Sequence, residues 1–236
     1  MTIQLEVFDD ARWADRVAQR WALAMQRNRA ARLCLPTGET PRPVYTVASS
    51  VMDLDAATVF ILDEFDLPPG NPARCDEMIR RDLLDLLTHQ PLAVHGLDPS
   101  AQDPDAECRR FASLVADGGL DLTLLGLGGN GHLGLNEPGT PADAPTRVTR
   151  LAPSTIRAAS RYGSDAEPNW GMTLGMREIL ESGEVWLLVT GSHKADILER
   201  TLNGPIGPDV PATYLREHPN ATVFADRSAA ADRPET

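Results

Sequence analysis

Hydrophobic positions along this chain come in short runs of strand length, separated by longer stretches with helical periodicity. Residues 3–8 alternate apolar and polar side chains as a strand does. Trp13, Val17, Trp21 and Ala24 then recur on one helical face up to about Asn28, with Asp9 or Asp10 placed to cap that helix. Further apolar runs lie at 32–35, 58–62, 120–125, 185–189 and 221–224, and 92–97 reads as a short connection or strand. Helices are predicted over 43–51, 76–87, 103–116, 155–162, 171–180 and from 194 to about 202. Runs that are apolar on every residue belong to strands buried on both faces. The pattern therefore predicts an α/β fold: a single-domain, mostly parallel open sheet, Rossmann-like, covered by helices on both faces and joined by right-handed crossovers. The domain is expected to span 1–226, with the polar 227–236 as a flexible tail.

A length of 236 residues suits one domain of that class. The formal charge of −12 argues against a nucleic-acid surface or binding to anionic membrane, so a bound phosphate would have to be met by local cations. Cys34, Cys75 and Cys108 are odd in number and lack C-x-x-C spacing, which argues against a disulfide framework or a zinc site and fits a reducing cytoplasm. The start of the chain has no basic segment leading into an apolar one, and no run approaches 18 apolar residues. Neither secretion nor membrane insertion is expected.

The chemistry collects where the apolar runs stop. After 120–125 comes a loop with Gly126, Gly128, Gly129 and Gly131, followed by the ionisable pair His132 and Glu137. Three of these glycines match the dinucleotide fingerprint G-x-G-x-x-G. No long helix opens behind them and no acidic residue stands about 20 positions on, so a nicotinamide cofactor is not expected. A plain glycine turn holding a structural histidine is the competing interpretation. After 32–35, Pro36-Thr37-Gly38-Glu39-Thr40-Pro41 leads into a helix start, a setting for an anion as well as for ordinary capping. After 58–62 come Asp63, Glu64 and Asp66; an acidic solvated loop accounts for Glu64 and Asp66 better than for Asp63, which abuts the apolar run. Arg157 and Arg161 share a helical face, and Ser192 and Lys194 follow 185–189. In a parallel sheet these strand ends lie along one edge. Hydroxyl turns with Arg161 and Lys194 suit a phosphate, while a carboxylate and a histidine suit proton transfer. There is no P-loop and no His-x-x-x-His pair, so neither a cofactor nor a metal is called for.

LPTGETP at 35–41, LDEF at 62–65, GLGGNGHLGLNEPG at 126–139, the run at 146–162 ending in TIRAASRY, and LLVTGSHKADIL at 187–198 resemble glucosamine-6-phosphate deaminases in composition, order and spacing. The related 6-phosphogluconolactonases share the G-x-G-H core but continue towards S-L-F-P. The resemblance implies conversion of glucosamine 6-phosphate and water to fructose 6-phosphate and ammonia by an isomerase and hydrolase in one, without an organic cofactor. It assigns ring opening to His132 with Glu137, proton transfer between C2 and C1 to Asp63, and a place beside His132 to Asn130. Thr37, Gly38, Glu39, Thr40, Glu64, Gly129, Arg161 and Lys194 match substrate- and phosphate-binding positions. Three departures stand out. Asn130 replaces an aspartate common in the family and cannot bring a negative charge beside His132. Phe65 replaces tyrosine, and Arg74 and Cys75 replace the usual Ser and Tyr. Thr149 stands where hexameric members carry a second basic residue near Arg147, so little or no activation by an N-acetyl sugar phosphate is expected. The alternatives are lactone hydrolysis of the 6-phosphogluconolactonase type and a sugar-phosphate-binding protein without catalysis. The expected partner is a phosphorylated amino sugar, and the expected state a monomer or small homo-oligomer.

Overall fold

The structure, a computed structural model, describes residues 3–159, 162–164 and 166–231. The first half of the chain runs β1 (Gln4–Phe8), α1 (Trp13–Arg27), β2 (Arg32–Leu35), α2 (Pro41–Val51), β3 (Thr58–Ile61), β4 (Asp63–Phe65), α3 (Cys75–Asp82), β5 (Ala93–His95) and α4 (Pro104–Ala116). It continues with β6 (Leu122–Gly126), β7 (Arg147–Arg150), α5 (Pro153–Ala159), β8 (Trp170–Thr173), α6 (Met176–Leu180), β9 (Glu184–Val189), α7 (Ala195–Asn203) and β10 (Ala221–Asp226). Short 3₁₀ turns lie at Leu84–Leu86, Ser192–Lys194 and Pro211–Glu217.

Seven strands form one sheet in the order β1-β10-β9-β6-β2-β3-β5, every neighbouring pair parallel. Because side chains alternate faces along a strand, the apolar runs split between two cores. Leu33, Leu35, Val59, Ile61, Leu122, Leu124, Trp186, Leu188 and Phe224 pack with Trp13, Val17, Trp21 and Tyr45 of α1 and α2. Cys34, Phe60, Leu125, Leu187, Val189 and Val223 pack on the other face with Phe111 of α4 and with Ile197 and Leu198 of α7. The order of strands reverses between β2 and β6: from β2 the chain proceeds outward through β3 to β5, and from β6 it proceeds the other way to β9 and β10. The loops leaving β2 and β6 therefore diverge, which opens a crevice at the carboxyl ends of these strands.

Four sequence expectations need correction. The helix expected over 171–180 begins at Met176; before it, β8 pairs antiparallel with β4 and β7 in a second, three-stranded sheet. Met172, Leu174, Met176 and Ile179 satisfy helical spacing, yet the first three also satisfy alternation, and packing decides between them. A side chain at Gly171 would strike the Glu64 carbonyl at 2.8 Å, so the backbones there approach too closely for a helix. Asp63–Phe65 is accordingly a strand and not a loop. The helix expected over 76–87 stops at Asp82 and gives way to the 3₁₀ turn. Finally, the N-cap of α1 is Arg12, which makes no side-chain capping bond, while Asp9 accepts from the Ala11 amide and Asp10 from Ser228. That last bond, with the Ala229 amide on Asp226 and the burial of Ala229 and Ala230, keeps the chain packed beyond residue 226.

Candidate functional site

Four strand ends meet at the crevice, and each brings a different side chain. β2 leads into Pro36, whose carbonyl accepts the Tyr45 hydroxyl at 2.6 Å, and then into Gly38 with φ +107°. A side chain at Gly38 would be strained by that backbone and would meet the Tyr162 hydroxyl at 3.1 Å. Thr37 turns its hydroxyl onto the Cys75 sulfur at 3.4 Å. Glu39 points outward and pairs with Arg42, and Thr40 opens α2 without a capping side-chain bond.

β3 passes directly into β4, and alternation sends the neighbouring carboxylates Asp63 and Glu64 to opposite faces. Asp63 is 8% exposed and accepts from Cys75 Sγ at 3.4 Å. Burial pushes its pKa up to about 6, against the pull of Cys75 and of nearby His132. Glu64 is 1% exposed and fully engaged: it accepts from the amides of Phe65 and Cys75 at 2.8 Å and of Asp76 at 3.0 Å, with Arg74 Nη2 at 3.7 Å. It anchors the first turn of α3, so the expected substrate-facing role does not fit Glu64. Burial raises its pKa, and the amides and Arg74 pull against that rise.

The loop after β6 closes on itself through Gly128 N to His132 O and Gly131 N to Gly128 O, both at 3.0 Å. A side chain at Gly128 would collide with the His132 ring at 2.4 Å, so this glycine makes room for the imidazole. Gly129 is exposed, with nothing within 4 Å of the position a side chain would take. His132 Nδ1 lies 3.3 Å from Glu137 Oε2, off the line of a good hydrogen bond. Glu137 is held further by Asn130 Nδ2 at 2.8 Å and by the Thr155 hydroxyl at the start of α5. Burial alone would raise its pKa, but His132, Thr155 and Asn130 outweigh this and hold it at about 2. Asn130 accepts the His132 backbone amide at 3.2 Å through its Oδ1, so its amide group orders both the loop and Glu137. After β9, Lys194 donates to the Leu127 carbonyl at 2.7 Å, which leaves two of its three N–H groups for an anion. Burial lowers its pKa.

The structure thus brings Thr37, Asp63, Asn130, His132, Glu137 and Lys194 to one edge, turns Glu39 outward and Glu64 inward, and leaves Arg161 outside the described residues. Three residues essential to this geometry escaped sequence reasoning. In the sequence Cys75 stands out as one of three unpaired cysteines and as a departure from the family pattern, and Thr155 as a helix start and the first residue of TIRAASRY, with no sign in either case of a contact to Asp63 or Glu137. Asn136, fully buried, donates to the carbonyls of Leu133 and Leu174 and accepts from Arg147, clamping the loop to the second sheet. Among the described residues no group of three or more His, Cys, Asp or Glu could hold a metal. A groove of about 420 Å³ elsewhere, lined by Met25, Arg29, Val51, Asp53 and His89 among others, has no comparable convergence of groups.

Comparison with known proteins bears on this edge. A family model described as glucosamine-6-phosphate isomerases/6-phosphogluconolactonase matches residues 10–224. The glucosamine-6-phosphate deaminase of Rhodopirellula baltica is 36% identical over 238 residues, 97% of this chain and 95% of that protein. Glucosamine-6-phosphate deaminase 2 of Bacillus subtilis is 36% identical over 219 residues, 87% of each chain. Among solved structures, a monomeric glucosamine-6-phosphate deaminase superposes with a TM-score of 0.93 at 32% identity, covering 98% of this chain and 100% of the other. The 6-phosphogluconolactonase of Trypanosoma cruzi shares the fold, with a TM-score of 0.79 at 19% identity and 98% of each chain covered.

Proposed function

This chain belongs to the family of glucosamine-6-phosphate isomerases and 6-phosphogluconolactonases, and from that premise we propose that it converts glucosamine 6-phosphate and water to fructose 6-phosphate and ammonia. The observation that carries this reading is Asp63: a buried carboxylate with a pKa of about 6 at a strand end, beside the His132–Glu137 pair. A general base works best when its pKa lies near the working pH, and a buried carboxylate shifted upward meets that requirement.

In this mechanism His132, steadied by Glu137, moves a proton from the anomeric hydroxyl to the ring oxygen and opens the sugar to its aldehyde. Asp63 takes the C2 proton and returns it to C1. The aldehyde oxygen gains the proton that the C2 amino group gives up, C1 becomes a CH₂OH carbon, and C2 is left as an imine. The isomerisation is an internal redox exchange between C1 and C2 that needs no outside oxidant. Water enters only afterwards, adding to the imine carbon and releasing ammonia, so the enzyme is an isomerising deaminase more than a hydrolase. The phosphate end is assigned to Thr37, Gly38, Thr40, Gly129 and Lys194, with Arg161 retained from the motif match. Lactone hydrolysis would leave Asp63 without a proton to move. Three buried, unpaired cysteines support a reducing, cytoplasmic setting.

Incubation with glucosamine 6-phosphate should release equimolar ammonia and fructose 6-phosphate, with no turnover of 6-phosphogluconolactone. Asp63→Asn should lower kcat by a factor of about 10³ or more while substrate binding stays within about tenfold. Lactone hydrolysis without ammonia release, or a fully active Asp63→Asn variant, would overturn the reading.

A further inference from the structure

Cys75 is the first residue of α3, and its place is set from behind. Glu64 grips the amides of Cys75 and Asp76 and thereby delivers the thiol to the carboxylate next to it in sequence, Asp63. Thr37 donates its hydroxyl to the sulfur at 3.4 Å, which occupies a sulfur lone pair and leaves the S–H free to donate to Asp63 Oδ1, also at 3.4 Å. Cys75 as a whole is 1% exposed. Burial, then the charges of Asp63 and Glu64, push its pKa well above the usual thiol range, so it keeps its proton and serves as a hydrogen-bond donor and not as a nucleophile. The other titratable groups linked electrostatically to Asp63 are His132, on the loop after β6, whose charge favours the ionised carboxylate, and Cys34 on β2 and Tyr45 on α2, whose own ionisation the Asp63 charge opposes. Of these groups it is Cys75 that hydrogen-bonds to the carboxylate and so favours its charged form, whereas His132 acts on it by charge alone.

We infer that Cys75 is a positioning residue: held by Glu64 and Thr37, its thiol donates to Asp63, orients that carboxylate and favours its ionised form for the proton transfer. This deepens the proposed reaction and rests on it. A hydrogen bond to the charged form of an acid lowers its pKa, and removing one of ordinary strength raises it by about half to one pH unit.

The experiment compares wild type, Cys75→Ala and Cys75→Ser in two readouts. The first is kcat/KM for glucosamine 6-phosphate from pH 5 to 9. The second is the titration of the Asp63 side-chain carboxyl carbon by NMR in the free protein, assigned with Asp63→Asn. In Cys75→Ala the acid limb and the Asp63 titration should both move up by about half to one pH unit, so that the loss of kcat/KM is several-fold at pH 5.5 and fades above pH 8. Cys75→Ser, which restores a donor, should return both towards wild type. A role in packing alone would lower the melting temperature and affect activity equally at all pH values. Equal limbs and equal titrations in all three proteins would therefore overturn the inference. If the wild type released no ammonia, the proposed reaction would fall while the titration still decided what Cys75 does to Asp63. Should Cys75→Ala fold poorly, a titration in Cys75→Ser displaced upward as far as expected for a lost donor would equally overturn it.

Discussion

At neutral pH Asp63 is charged in a place that resists charge, because burial has raised its pKa from 3.8 to about 6. The folded-state value lies above the unfolded one, so the protonated form favours folding: that contribution is complete below about pH 4 and is lost as pH rises through about 6. A rise of this size corresponds to about 3 kcal/mol withheld from stability at pH 8. Asp63→Asn should accordingly melt at higher temperature than wild type at pH 8, with little difference at pH 4, by calorimetry. A variant less stable at pH 8 would contradict this. Glu137 is the opposite case, held at about 2, so its contribution is present above about 4.5 and lost as pH falls through about 2. His132, Glu137 and Asp63 were readable in the sequence because each stands where an apolar run stops. The assignment of Glu64 was not, since adjacency to Asp63 does not reveal that the two side chains leave the strand on opposite faces.

The second sheet and α3 do at the level of elements what those residues require. β8 lies between β4 and β7, and its pairing with Asp63–Phe65 turns what would be a flexible acidic loop into a strand. A side chain on a strand is held more narrowly than one on a loop, which suits the role proposed for Asp63, a base that would have to reach two adjacent carbons. α3 is then seated by Glu64. Removing that carboxylate by Glu64→Ala would leave the amides of Phe65, Cys75 and Asp76 without their acceptor and take a negative charge from beside the buried Arg74, which keeps Asp76 and the Leu67 carbonyl. A loss of about 3 kcal/mol or more is expected, read from urea denaturation. A loss under about 1 kcal/mol would mean that α3 is seated by its apolar face, through Met78 and Ile79, instead.

For the whole molecule, the structure that superposes with a TM-score of 0.93 is that of a monomeric deaminase, and a monomer is the state predicted for this chain. The Arg147 guanidinium is engaged by Asn136, Thr140 and the Pro145 carbonyl, and with Thr149 in place of a second basic residue little or no activation by an N-acetyl sugar phosphate is predicted. Sedimentation should give a single species near 25.6 kDa, and N-acetylglucosamine 6-phosphate should leave the substrate saturation curve hyperbolic. A larger species with sigmoidal kinetics would contradict both. The succession of continuous apolar runs and helical patterns determined by itself that a parallel sheet would form with helices on both faces, and that chemistry would gather at its carboxyl edge, because strand burial and helical faces are properties of local spacing. Tertiary structure alone decided that the order of strands reverses between β2 and β6, that 170–173 is a strand, and that Cys75 and Thr155 meet Asp63 and Glu137. Those contacts join positions separated by 12 and 18 residues, and they depend on which backbones approach closely enough, a quantity that spacing along the chain does not carry.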